Sequence, residues 1–249
     1  MYWMGGLTGI LFFSFVLYKY VVAPYTTRWH AYYGKIEYPA GYSIHGLDIS
    51  HYQQTIDWDA VSRTKVAGEP LRFVIIKATE GDKRLDPNFN DNFYQALQYG
   101  LVRGAYHYFK PDISAKEQAE YYLRQVHLEP GDLPPVLDIE EKGTLSTAAL
   151  RAAALTWLQQ AEAKYGVAPI IYTGYKFKVD YLSTPEFEHY PFWIAHYYVK
   201  ECGYTGAWKF WQHTDCGRVD GIEGKVDLNV YNGSMYDLRK LTIPEEEFE

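Results

Sequence analysis

The chain has 249 residues and a formal net charge of −7. Its 47% hydrophobic and 22% charged residues can build a buried core, which excludes a disordered chain. The acidic balance argues against nucleic acid as a partner, because phosphate binding calls for a basic face. Aromatics make up 18% of the chain, with 25 tyrosines. That excess has two readings, a Tyr-rich surface or a sugar-binding cleft in which ring faces stack on pyranoses. Cys202 and Cys216 match no standard zinc spacing and leave open a disulfide or two separate thiols.

Residues 2–18 carry no charge, and Lys19 is followed by Tyr20, Val21, Val22 and Ala23. This is about the length that crosses a bilayer. A cleaved secretory signal has a basic start and small residues at its end. Here the start lacks Lys and Arg, and Pro24 follows Ala23. Residues 1–23 are therefore read as a transmembrane helix, an anchor or uncleaved signal, with a secreted form as the alternative. Lys19, Arg28 and Lys35 follow the apolar run, and charge counting would hold that side in the cytoplasm, although large domains translocate despite such charges. Residues 24–40 read as a linker.

From Gly41 onward strand and helix signals alternate. Short apolar runs rich in β-branched and aromatic residues fall at 44–49, 73–76, 102–109, 136–139, 170–172, 192–195, 208–211 and 226–230, as strands should. Helical spacing marks 89–99 and 115–126. Ser146 opens the longest helix, over 148–164, and Gly166 stops it. Eight strands, the early ones separated by helices, predict an α/β fold, a TIM-like parallel barrel over 41–243. The last three strands are too close together for crossover helices, so the final third should be irregular. Residues 244–249 form an acidic tail.

In such barrels the active site lies at the C-terminal ends of the strands. Asp48 closes the first strand, Asp138 and Glu140 close the fourth, and Asp227 lies in the last. Alternate residues on a strand share a face, so Asp138 and Glu140 project together and Ile139 points away. Close carboxyls repel when both are ionised, leaving one proton donor and one carboxylate at neutral pH. Glycoside hydrolysis uses that arrangement. Tyr106, Tyr108, Tyr172, Trp193 and Tyr197 cluster at the predicted strand ends. Tyr106 and Tyr172 are favoured for the cleft, and Tyr108 for core or rim. Lys77 either contacts substrate or pairs with one of the acids. Gln212 either bonds substrate or satisfies a buried backbone group. His45, Asp48 and His51 are evenly spaced, with His107 and His196 also near strand ends, which raises a metal hydrolase as a rival. An inward Asp48 turns His45 to the other strand face, which weakens a shared site.

The run Gly46-Leu47-Asp48-Ile49-Ser50, followed by Tyr52-Gln53 and Ile56-Asp57-Trp58, resembles the opening of glycoside hydrolase family 25, the Chalaropsis-type lysozymes. Further runs follow in that family's order: FVIIKATEG at 73–81, DPNF at 86–89, GAYHYF at 104–109, LDIEE at 137–141, IYTG at 171–174, FWIA at 192–195, WQ at 211–212 and VDLN at 226–229. The resemblance spans residues 42–236. It implies an irregular barrel of five βα units plus further strands. It also implies muramidase cleavage of the β-1,4 bond between N-acetylmuramic acid and N-acetylglucosamine in peptidoglycan strands, with net retention and no cofactor or metal. By position, Glu140 would be the general acid. Asp138 would be the nucleophile, or the assistant to the substrate N-acetyl group. Asp48 and Asp227 would complete the cluster. Tyr106, Tyr172, Trp193, Tyr197, Gln212 and Lys77 are the candidate substrate contacts. Gln54 stands where the family commonly has Gly, and His213 where Tyr is usual. An anchored wall-cutting enzyme would lie in the cell envelope with its barrel on the wall side. A non-catalytic glycan binder on the same scaffold is the alternative.

Overall fold

The computed structural model describes residues 13–18 and 36–245. A closed eight-stranded barrel forms from β1 (His45–Ile49), β3 (Glu69–Glu80), β5 (Val102–Tyr108), β6 (Val136–Asp138), β7 (Ile170–Gly174), β8 (Phe192–Ala195), β9 (Phe210–Gly217) and β10 (Val226–Tyr231). The short strands β2 (Lys65–Val66) and β4 (Arg84–Leu85) pair with β3 outside the ring. Helices α1 (Trp58–Arg63), α2 (Phe89–Gln98), α3 (Ala115–Gln125), α4 (Thr147–Tyr165) and α5 (Tyr175–Tyr181) connect the strands from β1 to β8. These make the five expected βα units. No helix separates β8 from β9 or β9 from β10, and α6 (Met235–Leu241) follows the last strand.

All eight predicted strands are present, and the three predicted helices lie where their spacing put them. The caps explain the helix bounds. The Ser146 side chain accepts from Ala149 N, and Gly166 closes α4 at φ 69, a left-handed geometry that glycine enters without a Cβ clash. The short helices α1, α5 and α6, of 6 or 7 residues, span too few turns for a period to show.

One expectation is corrected. The barrel is parallel from β1 through β9, but β10 runs antiparallel to both β1 and β9. The reason is local: β9 and β10 are joined directly, and a short connection turns the chain back beside itself, whereas a parallel return needs a long crossover. The reversal matters for chemistry. Asp227 sits near the start of β10, opposite Asp48 in the register. In a parallel strand that position would lie at the wrong end of the barrel. In an antiparallel one it joins the C-terminal ends of the other strands.

Alternation divides the core in two. Phe73, Ile75, Val136, Ile170, Trp193, Phe210 and Tyr231 fill the barrel interior. Leu47, Ile49, Val74, Ile76, Leu137, Ile139 and Ile194 face outward under the helices. Leu238 of α6 belongs to the interior group, so α6 stops the end of the barrel away from the acids. Gly46 is where the first strand crosses an interior ring. A Cβ there would stand 2.5 Å from Phe73, a clash no aliphatic side chain can relieve without moving β1.

Among the described residues no helix is long and apolar enough to cross a membrane. The predicted span 1–23 lies outside the described residues except for 13–18, of which 13–17 are helical. Most of the predicted linker and residues 246–249 of the tail also lie outside them. At the linker's end Tyr38 packs edge-on against His213, with ring centroids 6.4 Å apart. Cys202 and Cys216 are separate buried thiols.

Candidate active site

A cleft of about 490 Å³ opens at the C-terminal ends of the parallel strands. All ten residues singled out in the sequence line it: Asp48, Lys77, Tyr106, Asp138, Glu140, Tyr172, Trp193, Tyr197, Gln212 and Asp227. Asp138 is 6% exposed at the floor, Glu140 is open to solvent above it, and Ile139 between them is buried on the opposite face. The alternation argument therefore gave the correct faces.

Asp48 is held by a directed network. Trp193 Nε1 donates to Asn229 Oδ1 at 2.7 Å. An indole N–H can only donate, so the Asn229 amide must turn its Nδ2 toward Asp48, where it donates to Oδ2 at 2.7 Å. Tyr172 and Tyr197 hydroxyls donate to Gln212 Oε1 at 2.7 and 2.6 Å. Gln212 Nε2 then donates to the same Asp48 oxygen at 2.8 Å. Two uncharged amides thus aim donors at one buried carboxyl.

The electrostatics follow from crowding. Burial raises Asp48 to about 6, and the donors from Asn229 and Gln212 oppose that rise. Burial, then the charge of Asp48, raises Asp227 to about 9. Protonated Asp227 therefore donates to ionised Asp48. Burial and then Glu140 push Asp138 well above the usual carboxylate range, while Lys77 pulls it down. The protein packed beside Glu140 takes part of its hydration and raises it too, although its outer face meets solvent, against a hydrogen bond from Asp138 that lowers it. Each carboxyl thus holds its proton more readily than a free one, and the two titrate as a pair.

Asp227 yields a stability prediction. A carboxyl whose folded pKa is raised contributes fully to stability below its unfolded value near 4, and that contribution is lost as pH climbs toward about 9. Asp227→Asn keeps a donor toward Asp48 without the ionisation. The variant should be more stable than the parent by about 1–2 kcal/mol at pH 8, several degrees in Tm, a figure discounted for solvent around the half-buried group. The gain should shrink toward pH 4.5. Thermal melts at both pH values check this, and a gain that is equal or larger at pH 4.5 would refute it.

Several assignments change in the structure. Lys77 Nζ pairs with Glu80 Oε2 at 2.7 Å rather than with one of the four acids. Gln212 satisfies Asp48, not backbone. Trp193 is 1% exposed and packs on Tyr172 at 4.3 Å, so its ring positions Asn229 instead of offering an open face. Tyr108 lines the cleft rim and donates to Glu141 Oε1 at 3.1 Å. His213 is buried and takes no part in the cleft, because it alternates with Gln212 and faces outward. Gln54 adopts φ 51 and ψ −129, a region where glycine alone is free of strain.

The histidines raised for a metal site do not converge. His45 bonds Tyr42 O, His51 bonds Asp86, His107 lies between Thr79 and Gln118, and His196 bonds Cys202 O. Among the described residues no group of three His, Cys, Asp or Glu could hold a metal ion.

Sequence reasoning missed Asn229, Tyr52, Gln53, Glu80, Arg84 and Lys110. Asn229 had a signal: it lies two positions from Asp227 on one strand and so shares its face. The others sit on loops or strand extensions, where no period marks a face.

A barrel with paired carboxyls on one strand end, inside a polar cleft lined with tyrosines, defines the class of glycoside-cleaving enzymes. Residues 47–222 match Glycosyl hydrolases family 25. The chain belongs to that family and is a glycoside hydrolase. It is 47% identical to YegX of Escherichia coli (strain K12) over 205 residues, covering 82% of this chain and 75% of that protein. It is 35% identical to Lysozyme M1 of Streptomyces globisporus over 218 residues, covering 80% and 71%. The solved bacterial lysozyme of Streptomyces coelicolor superposes with a TM-score of 0.74 at 33% identity, covering 81% of this chain and 98% of that one.

Proposed function

We propose that the enzyme is an N-acetylmuramidase that hydrolyses the β-1,4 bond between N-acetylmuramic acid and N-acetylglucosamine in peptidoglycan, with net retention. The observation that carries this reading is the pair Asp138 and Glu140, side by side in the cleft and both raised above the ordinary carboxylate range. Relatives named lysozyme support the substrate class. Glu140, open to solvent, protonates the leaving glycosidic oxygen. Asp138, buried beneath, serves the anomeric side.

The buried setting of Asp138 favours substrate assistance over direct attack. Burial makes a free carboxylate costly there and blunts it as a nucleophile. An acetamido N–H donated to Asp138 would favour its charged form and leave the proton of the pair on Glu140. The sugar itself would thereby arm the acid. The N-acetyl oxygen then attacks C1 from within the substrate while Asp138 holds the N–H. Asp48, held by its amides and by the protonated Asp227, supports the positive charge that develops on the sugar.

The test is digestion of purified peptidoglycan by a protein starting at Gly41, followed by borohydride reduction and mass spectrometry. New reduced muramic acid ends establish a muramidase. Binding without any new reducing end would assign the barrel to the non-catalytic glycan binders instead.

The apolar run 2–18 supports a membrane anchor with the barrel on the wall side; with a cleaved run the enzyme would be secreted. Deleting residues 1–25 should move the protein from the membrane fraction to the soluble fraction. Continued membrane fractionation of the deleted protein would refute the anchor.

A further inference from the structure

The cleft is not acidic throughout. On the side of β3, β4 and β5 it is lined by Lys77, Arg84 and Lys110 with Glu80 among them. Lys77 lies 2.7 Å and Arg84 3.6 Å from Glu80 oxygens. The Tyr108 ring lies between Lys77 and Lys110, whose Nζ atoms stand 4.9 and 4.7 Å from its centroid. Glu80 and Glu141 are the carboxylates bonded within this group, two against three cations. This holds in a chain of net charge −7, beside a cluster of four acids.

The arm is built rather than incidental. The Arg84 backbone is fixed by the β3–β4 ladder opposite Glu80, and its largely exposed side chain reaches back to the Glu80 carboxylate. The Lys110 backbone is pinned at both its N–H and C=O by the buried Gln118 side chain, at 2.8 and 2.9 Å. The register also sets the reach. Arg84, Glu80, Tyr108 and Asp138 lie on one cross-strand row. At the usual strand spacing, Glu80 is about 10 Å and Arg84 about 14 Å from Asp138. That is too far to touch the bond being cut, but within reach of a substituent on the same glycan strand.

We propose that Arg84 and Lys110 bind a carboxylate of the substrate, either the lactyl carboxylate of a muramic acid or one on its stem peptide. Lys77 stands behind them. This rests on the muramidase reading above. Such an arm gives the enzyme preference for muramic acid polymers over neutral glycans of N-acetylglucosamine, which lack any carboxylate.

The test measures kcat/KM on peptide-stripped strands with free lactyl carboxylates and on peptide-bearing strands, each before and after amidation of the carboxylates. The parent should lose about tenfold on amidation, the scale of one charge-assisted hydrogen bond. In Arg84→Gln/Lys110→Gln the loss should fall below about twofold, with the circular dichroism spectrum retained. A penalty on stripped strands identifies the lactyl group as the ligand, and a penalty only on peptide-bearing strands identifies the stem peptide. A parent indifferent to amidation, or a double variant with the parent's penalty, would overturn the inference. A parent that cuts none of the strands would overturn the muramidase reading and this inference with it.

Discussion

Glu140→Gln should lower kcat on peptidoglycan by about 10²- to 10⁴-fold, the usual contribution of a positioned general acid. The amide keeps the size and shape of the acid but has no proton to give the leaving oxygen. Glu140 is open to solvent, so the change leaves the core untouched and the melting temperature should stay close to the parent's. Binding to insoluble peptidoglycan should also persist. Turnover near the parent's would sink the assignment. A loss of binding and activity together would mean that Glu140 holds the sugar rather than protonates it.

The second large effect is expected at Asp138. Asp138→Asn should cost about 10²-fold or more in kcat, the scale of a lost acid–base partner, because an amide can neither accept the acetamido N–H as a carboxylate does nor return a proton to Glu140. The pH profile separates this role from a structural one. In the parent, Asp138 and Glu140 titrate as a pair, each raised by burial. The amide introduced by Asp138→Asn would donate permanently, hold Glu140 ionised and deplete the acid form. The alkaline limb of kcat/KM should therefore shift to lower pH. An unmoved limb with a loss of less than about tenfold would reduce Asp138 to a packing role.

The barrel and its acids were legible in the sequence for a definite reason. Parallel strands buried on both faces read as unbroken apolar runs, so an acid at the end of such a run is conspicuous. Asp48 after Gly46-Leu47 and Asp138 after Val136-Leu137 both stand out in this way. What stayed hidden depends on the third dimension. The reversal of β10 cannot be read from its residues, because a strand spells the same in either direction. The partner of Lys77 is set by a bulge between Lys77 and Thr79, which brings Glu80 of the same strand to its face. The role of Trp193 depends on Asn229, which reaches it across β9. Alternation gives the face on which a side chain lies, but not whether that face is open or already occupied.

The way the ring closes bears on when the enzyme becomes active. β1 lies between β3 and β10, so the first barrel strand finds its second neighbour only when the last one arrives. Asn229 holds Asp48 across 181 residues of chain. Contacts this distant in sequence carry a large loop-closure cost and form late. While the chain is being synthesised, Asp138 and Glu140 can already be present on their strand, but Asp48 lacks its clamp and Asp227 its place. A C-terminally truncated chain that lacks β10 should therefore show no activity on peptidoglycan, with activity expected only once the whole barrel has been made and closed.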